Sequence, residues 1–227
     1  MPFFLMGLLF LLLFSIVAWG VYFESQWIAA FDSLWIERIQ GTISERKTSF
    51  IKITTELGNM RLIIALTILL VIVLFFKRKY AEGLWFGSTI LFCAAIAGKI
   101  LKKAFDRDRP AFLQLIEKTN ESFPSGHATG STVFYGLIGL VLVLIVANIW
   151  MKFVVGFTTL VWIGFILVTR VYLGVHFPTD VIAGFFFGMA ATLLSIGTYL
   201  IVQQPLQSLL RKLHLNDQSD TLIRSSN

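Results

Sequence analysis

The sequence predicts an all-α membrane protein, a bundle of six transmembrane helices whose functional residues gather in the loops at one membrane face. Three observations carry this. Of 227 residues, 56% are hydrophobic and only 14% charged, against about a quarter charged in soluble domains, and the mean hydropathy is +0.79. Apolar runs close to the ~20 residues that cross ~30 Å of hydrocarbon recur along the chain. Titratable residues collect at the edges of those runs, where they are costly unless they do something.

The first span is Phe3 to Tyr22. A cleaved signal peptide is the competing reading, but no basic segment precedes the run and its apolar stretch is too long, so a retained helix is expected. In Glu24 to Met60, Trp27, Phe31, Leu34, Trp35 and Ile39 recur at helical spacing. They suit either a helix lying in the interface or a connector packed on the bundle. Leu62 to Phe76 is a short second span, and its helix is expected to begin earlier, near ITTELGN. The third runs from Gly83 to Ile100. The fourth, Ala128 to Ile149, and the fifth, Phe153 to Thr169, are so close that they form a tight antiparallel hairpin. The sixth, Val181 to Val202, contains FFFGMAAT, whose small residues allow close helix contact. Residues 1–205 are read as one membrane domain, and 206–227 as a polar C-terminal tail, with fraying expected from Gln203. Cys93, the only cysteine, lies inside a span, which excludes a disulfide framework. The net charge of +6 comes without any basic recognition module, so nucleic acid is excluded in favour of membrane surface and an anionic ligand.

Six spans put both termini on one side and bring Leu101 to His127 and Arg170 to Asp180 to the same face. There the residue types point to phosphate. In ESFPSGHATGST, Ser125 can cap the fourth helix and Gly126 lets the backbone approach a ligand. The free amides of that turn form an anion site beside His127, a proton donor. Lys102 and Arg109, seven residues apart, could share one helix face, unless Pro110 already leaves Arg109 in the loop. Arg170 adds a second guanidinium, able to bind phosphate oxygens bidentately. Pro178 favours a helix start that places His176 just ahead of the first turn and Asp180 within it. The carboxylate then orients one imidazole nitrogen and leaves the other as a nucleophile. Asp106 and Asp108 are read as charge balance for Arg107 and Lys103 rather than as metal ligands, since no third carboxylate accompanies them. His214 is given no role.

The ordered set K-x6-RP at Lys102 to Pro110, PSGH at Pro124 to His127 and R-x5-H-x3-D at Arg170 to Asp180 resembles the type-2 phosphatidic-acid phosphatase family, which shares its site with vanadium haloperoxidases. The resemblance implies a six-helix bundle with an active site near the membrane surface, reached by lipid from the side. It implies that His176 attacks phosphorus with Asp180 orienting it, and that His127 protonates the leaving oxygen and then activates water. Lys102, Arg109, Ser125, Gly126 and Arg170 would hold the phosphoryl oxygens, with no metal and no cofactor. One departure is Thr169, where the family has Ser.

The expected activity is thus hydrolysis of a phosphoric monoester or diphosphate on a membrane lipid. Undecaprenyl diphosphate and phosphatidylglycerophosphate are the leading substrates and phosphatidic acid a third. A non-hydrolytic lipid-phosphate carrier is the alternative from another class. It would need the cations but not the nucleophile, orienter and acid together, and no inverted repeat is found. A vanadate-dependent oxidase fits poorly with a lipid-facing site. Basic residues are more numerous on the Lys102 to His127 side, which on charge alone puts that face in the cytoplasm. Lys102, Arg109 and Arg170 are explained by the site, however, and the resemblance favours an extracytoplasmic site in the plasma membrane. No sequence feature sets an oligomeric state.

Overall fold

The computed structural model describes residues 2–111 and 113–219, and all regular structure among them is helical. Five stretches are long and apolar enough to cross a membrane alone. The first is α1, Pro2–Tyr22. The second is the continuous helix Tyr80–Phe105, made of α5 (Tyr80–Thr89), a π-helical stretch (Ile90–Ile96) and α6 (Ala97–Phe105). The others are α7 (Gly126–Ile145), α8 (Ile149–Tyr172) and α9 (Pro178–Lys212). The sixth is a bent pair. Here α3 (Glu45–Thr54) and a 3₁₀ turn (Thr55–Gly58) meet α4 (Met60–Phe76) at 46°.

As expected, α4 begins ahead of Leu62, directly after ITTELGN, and the bend separates it from the turn before. Asn59 is extended, with ψ 129°, and its side chain accepts from the Arg61 amide. It therefore caps a new helix at Met60, as an Asn at this position favours.

The bundle is organised on α9. Against it α1 runs antiparallel, Phe4 meeting Gly197, Gly7 meeting Leu194 and Phe14 meeting Phe187. Helices α7 and α8 form the expected hairpin through residues 146–148, with Asn148 capping α8 and Tyr135 edge-on to Trp162. Because α8 reverses the chain, α7 and α9 run parallel. Their seam pairs Ala128 with Gly184, Thr132 with Gly188 and Gly136 with Thr192. A Cβ on Gly188 would lie 2.6 Å from the Thr132 Cβ, and one on Gly184 2.9 Å from the Ser125 carbonyl. Only glycine permits this approach, and it brings the two helix N-termini side by side at one face. Outward faces carry Leu5, Leu9, Phe157 and Val161, as lipid contact requires.

The connector holds α2, Gln26–Gln40. Its buried residues are Ile28, Asp32 and Ile36, whereas Trp27, Leu34 and Trp35 are exposed. Trp27, Leu34 and Trp35 thus face outward, Phe31 and Ile39 are half-buried, and an aspartate sits in the buried row.

The sixth span differs from its expected end at Val202. Helix α9 continues through Lys212, with Gln203 and Leu210 buried and Leu210 packed with Ala81, Ile196 and Tyr199. At 35 residues it is about 52 Å long. Beyond it the chain folds back instead of fraying. The Asp217 carboxylate accepts from the Ala81 amide at 3.1 Å and Gln218 donates to the Arg78 carbonyl at 2.8 Å, so this segment caps α5. Residues 220–227 of the expected tail lie outside the described residues.

The α7/α9 seam has a direct test. Gly188→Leu overpacks it by an amount expected to cost ~1–3 kcal/mol, lowering the apparent melting temperature in detergent by about 5 °C. Gly164→Ala, whose Cβ would meet nothing within 4 Å, leaves it unchanged.

Candidate active site

The site forms where four chain segments converge on the paired N-termini of α7 and α9. Ser125 caps α7, its hydroxyl accepting from the Ala128 amide at 3.4 Å, while its own amide donates to the Asp180 carbonyl at 3.0 Å. The first turns of the two helices are therefore joined directly. Ala128 and Thr129 find acceptors on Ser125, which leaves the Gly126 and His127 amides as the donors without an intrahelical partner.

The chain reaches His176 through Gly174, whose φ of +69° suits glycine. A Cβ there would collide with the Leu113 carbonyl. Pro178 opens α9 and Asp180 falls in its first turn, where its carboxylate accepts from the Phe177 amide at 2.9 Å. The same oxygen, Oδ2, accepts from the Ser122 hydroxyl at 2.5 Å and lies 3.4 Å from His176 Nδ1. The Ser122 hydroxyl is also 3.3 Å from that nitrogen. With the carboxylate and Ser122 on the Nδ1 side, the network assigns the proton to Nδ1. That leaves Nε2 as the bare nitrogen, and an Nη1–H of Arg109 donates to it at 3.3 Å. His176 is buried, and burial pushes its imidazole down to about 3, against the upward pull of Asp180 and with a further push from the charges of Arg109 and Arg170. It is a neutral imidazole bonded to a carboxylate rather than an ion pair.

The cations surround this pair. Arg109 does not share a helix face with Lys102, because α6 ends at Phe105 and Asp106 turns left-handed with φ 44°. The loop brings them together instead. Lys102 and Arg109 both donate to the Glu121 carbonyl, and Arg109 also donates to the Val175 and Asn120 carbonyls. Burial lowers the Arg109 guanidinium from its ordinary value, while Asp180 and Glu121 oppose this. On the far wall Arg170 is buried, and one Nη1–H donates to the Thr55 hydroxyl at 2.9 Å. Thr55 in turn meets Thr169 Oγ1 at 2.9 Å, and Thr169 donates to the Ile166 carbonyl at 2.6 Å. Thr169 thus supports Arg170 through Thr55. Two buried nitrogens, His127 Nε2 and Arg170 Nε, have no hydrogen-bond partner among the described residues. His127 lies against Gly58 and near Ser131, one turn further along α7.

All the sequence-predicted site residues come to this face. What sequence reasoning missed are the groups behind them: Ser122 on Asp180, Thr55 behind Arg170, and Arg107 with Asp32. Arg107 does not balance Asp106 and Asp108. It pairs with Asp180 at 2.6 Å and with Asp32 at 2.8 Å. Among the described residues no three His, Cys, Asp or Glu side chains are placed to hold a metal ion.

The chain is similar to phosphatidylglycerophosphatase B of Bacillus subtilis, with 34% identity over 143 residues, covering 60% of this chain and 66% of that protein. It is also similar to a lipid A 1-phosphatase of Rhizobium johnstonii, with 32% identity over 135 residues, covering 52% of this chain and 51% of the relative. The match therefore spans between half and two thirds of these relatives' lengths. The fold is similar to the crystal structure of a transmembrane PAP2 type phosphatidylglycerolphosphate phosphatase from Bacillus subtilis. That comparison gives a TM-score of 0.76 and 27% identity, and covers 85% of this chain and 94% of the other. This chain is accordingly a multi-pass membrane protein. The PAP2 superfamily matches residues 82–203, more than half of the sequence, and the protein belongs to that superfamily.

Proposed function

We propose that this protein is an integral membrane lipid phosphatase that removes a terminal phosphate by way of a phosphohistidine, without a metal ion. The observation that carries the reading is the setting of the buried His176 between a carboxylate and a guanidinium. Asp180 and Ser122 hold its Nδ1 side, and its bare Nε2 faces a guanidinium that pairs with no carboxylate among the described residues. Nε2 attacks phosphorus, and the bond from phosphorus to the lipid oxygen breaks. His127 gives its proton to that leaving oxygen. The phosphorylated imidazole carries positive charge, which the Asp180 carboxylate stabilises. His127, now neutral, takes a proton from water, whose oxygen attacks phosphorus. Inorganic phosphate leaves, and both histidines return to their starting states. Lys102, Arg109, Arg170 and the Ser125–Gly126 turn, through the free amides of Gly126 and His127, hold the phosphoryl oxygens and offset the charge that a metal ion offsets in other phosphoryl transfer sites.

Phosphatidylglycerophosphate is the substrate this reading favours, because both the 34% identical relative and the structural match act on that lipid by name. Undecaprenyl diphosphate and lipid A phosphate share the terminal phosphate on a membrane anchor and are the competitors. An extracytoplasmic site in the plasma membrane is the orientation this reading adopts, in keeping with the family resemblance. Glu117→Cys, an exposed position in the loop of the site, is then labelled by a membrane-impermeant maleimide in intact cells. Labelling only after lysis would reverse the orientation.

Purified protein in detergent is expected to release phosphate from phosphatidylglycerophosphate in excess EDTA, faster than from undecaprenyl diphosphate. His176→Ala should lower the rate by at least ~10³-fold. Equal activity in the variant would remove His176 as nucleophile, and lipid binding without any release would favour a carrier.

The neutral imidazole also predicts a pH dependence of stability. His176 in the folded protein titrates at about 3, whereas the unfolded chain gains this proton near ~6.5. Between those values the unfolded state binds more protons, so stability falls as pH is lowered from about 6.5 towards 3. The apparent melting temperature of the native protein should therefore fall more steeply over this range than that of His176→Asn.

A further inference from the structure

Arg107 is a buried-side guanidinium that the phosphoryl chemistry above does not use. It follows the left-handed turn at Asp106, which directs its side chain away from α6 and beneath the start of α9. One nitrogen, Nη1, donates to Asp180 Oδ1 at 2.6 Å and to Thr179 Oγ1 at 2.9 Å, while Nη2 donates to Asp32 Oδ2 at 2.8 Å. The guanidinium lies over the Phe177 ring, 4.1 Å from its centroid. Its own carbonyl accepts from the Ser122 amide at 2.7 Å. The groups on the Nδ1 side of His176 are therefore all touched by Arg107: Asp180, Ser122 and the Phe177 to Thr179 turn.

Asp32 completes the arrangement from a distant part of the chain. It is only 3% exposed, on a helix whose outer face carries Trp27, Leu34 and Trp35. Its Oδ1 accepts from the Thr179 amide and its Oδ2 from the Thr179 hydroxyl, both at 2.8 Å. Burial raises its carboxyl from the ordinary range, and Arg107 and Thr179 oppose that rise. A buried carboxylate on a connector, with each oxygen occupied, is expensive unless it performs a task.

We propose that Arg107 and Asp32 are positioning residues for the His176–Asp180 pair, making α2 a working part of the site rather than a connector. The reasoning is geometric. Arg107 bridges two carboxylates with the two terminal nitrogens of one rigid plane. Asp32 fixes that plane, so Asp180 Oδ1 is tethered and Oδ2 is turned towards His176 and Ser122. Without the charge on Asp32, Asp180 alone neutralises the guanidinium and is drawn away from Nδ1. Neither residue bonds to Lys102, Arg109 or Arg170, so phosphate binding is left intact while the nucleophile loses its orientation.

The inference rests on the phosphatase reading, and the test separates the two. Asp32→Asn, Arg107→Lys and Arg107→Ala are compared with native protein for phosphate release from phosphatidylglycerophosphate. Asp32→Asn is isosteric and should lower kcat at least about tenfold with KM within about twofold, as a misdirected nucleophile does. Arg107→Ala should lose about a hundredfold, and Arg107→Lys, which keeps the charge without the fork, should recover part of that loss. Should Arg107→Ala fail to fold, Asp32→Asn and Arg107→Lys decide. Unchanged kcat in Asp32→Asn, or a raised KM with kcat retained, would overturn the positioning role. Native protein that releases no phosphate from any lipid phosphate would instead overturn the phosphatase reading.

Discussion

The structure is arranged around one carboxylate, that of Asp180, buried at the head of a membrane helix. Such a group is tolerated away from water only when its charge and lone pairs are matched. Here Oδ1 meets Arg107, and Oδ2 meets Ser122, the Phe177 amide and His176. Its place in the first turn of α9 adds the favourable end of the helix dipole. The partners come from three pieces of chain, the segment after α6, the segment before α7 and the turn into α9, and α2 joins through Asp32 on Arg107. Breaking one side of a buried ion pair typically costs ~3–5 kcal/mol. The loops that carry the phosphate-facing groups are thus anchored to a charge that has no cheaper arrangement.

The cations divide by the partners they keep. Arg107 is neutralised by two carboxylates and is unavailable to an incoming anion. Lys102 and Arg109 are held by backbone carbonyls, and Arg170 by a threonine hydroxyl. Neutral acceptors satisfy hydrogen bonds without cancelling charge, so these three side chains keep a positive potential in a half-buried space where it is weakly screened. Arg107 and Arg109 are two residues apart and of the same type, and only their partners distinguish them.

Much of this arrangement could be read from the chain. The spans follow from apolar runs, and the convergence of PSGH with the R-x5-H-x3-D segment follows from the parity of crossings. What could not be read involves either polar helix or distant partners. The extension of α9 to Lys212 is invisible to hydropathy because Gln203 and Gln204 look like an exit from the membrane, though Gln203 and Leu210 are buried. The apolar stripe of α2 has Trp27, Leu34 and Trp35 exposed but Phe31 and Ile39 half-buried, and since lipid and protein interior both favour apolar side chains, it does not single out the row that carries Asp32. The partnership of Asp32 with Thr179 spans most of the chain and has no local signature. Arg107 was concealed in a run of alternating charge that invites pairing with its own neighbours. Ser122 lies just outside the PSGH motif, whose own serine, Ser125, already serves as a cap.

The seam between α7 and α9 restricts traffic. Gly184 and Gly188 let the two helices touch with no space for even a methyl group, and the same contact aligns the two helix ends beneath the nucleophile. Parting them to admit a hydrocarbon chain would dismantle the place the chain was bound for. That side of the perimeter is a closed wall, and a lipid whose headgroup reaches His176 has to come round it.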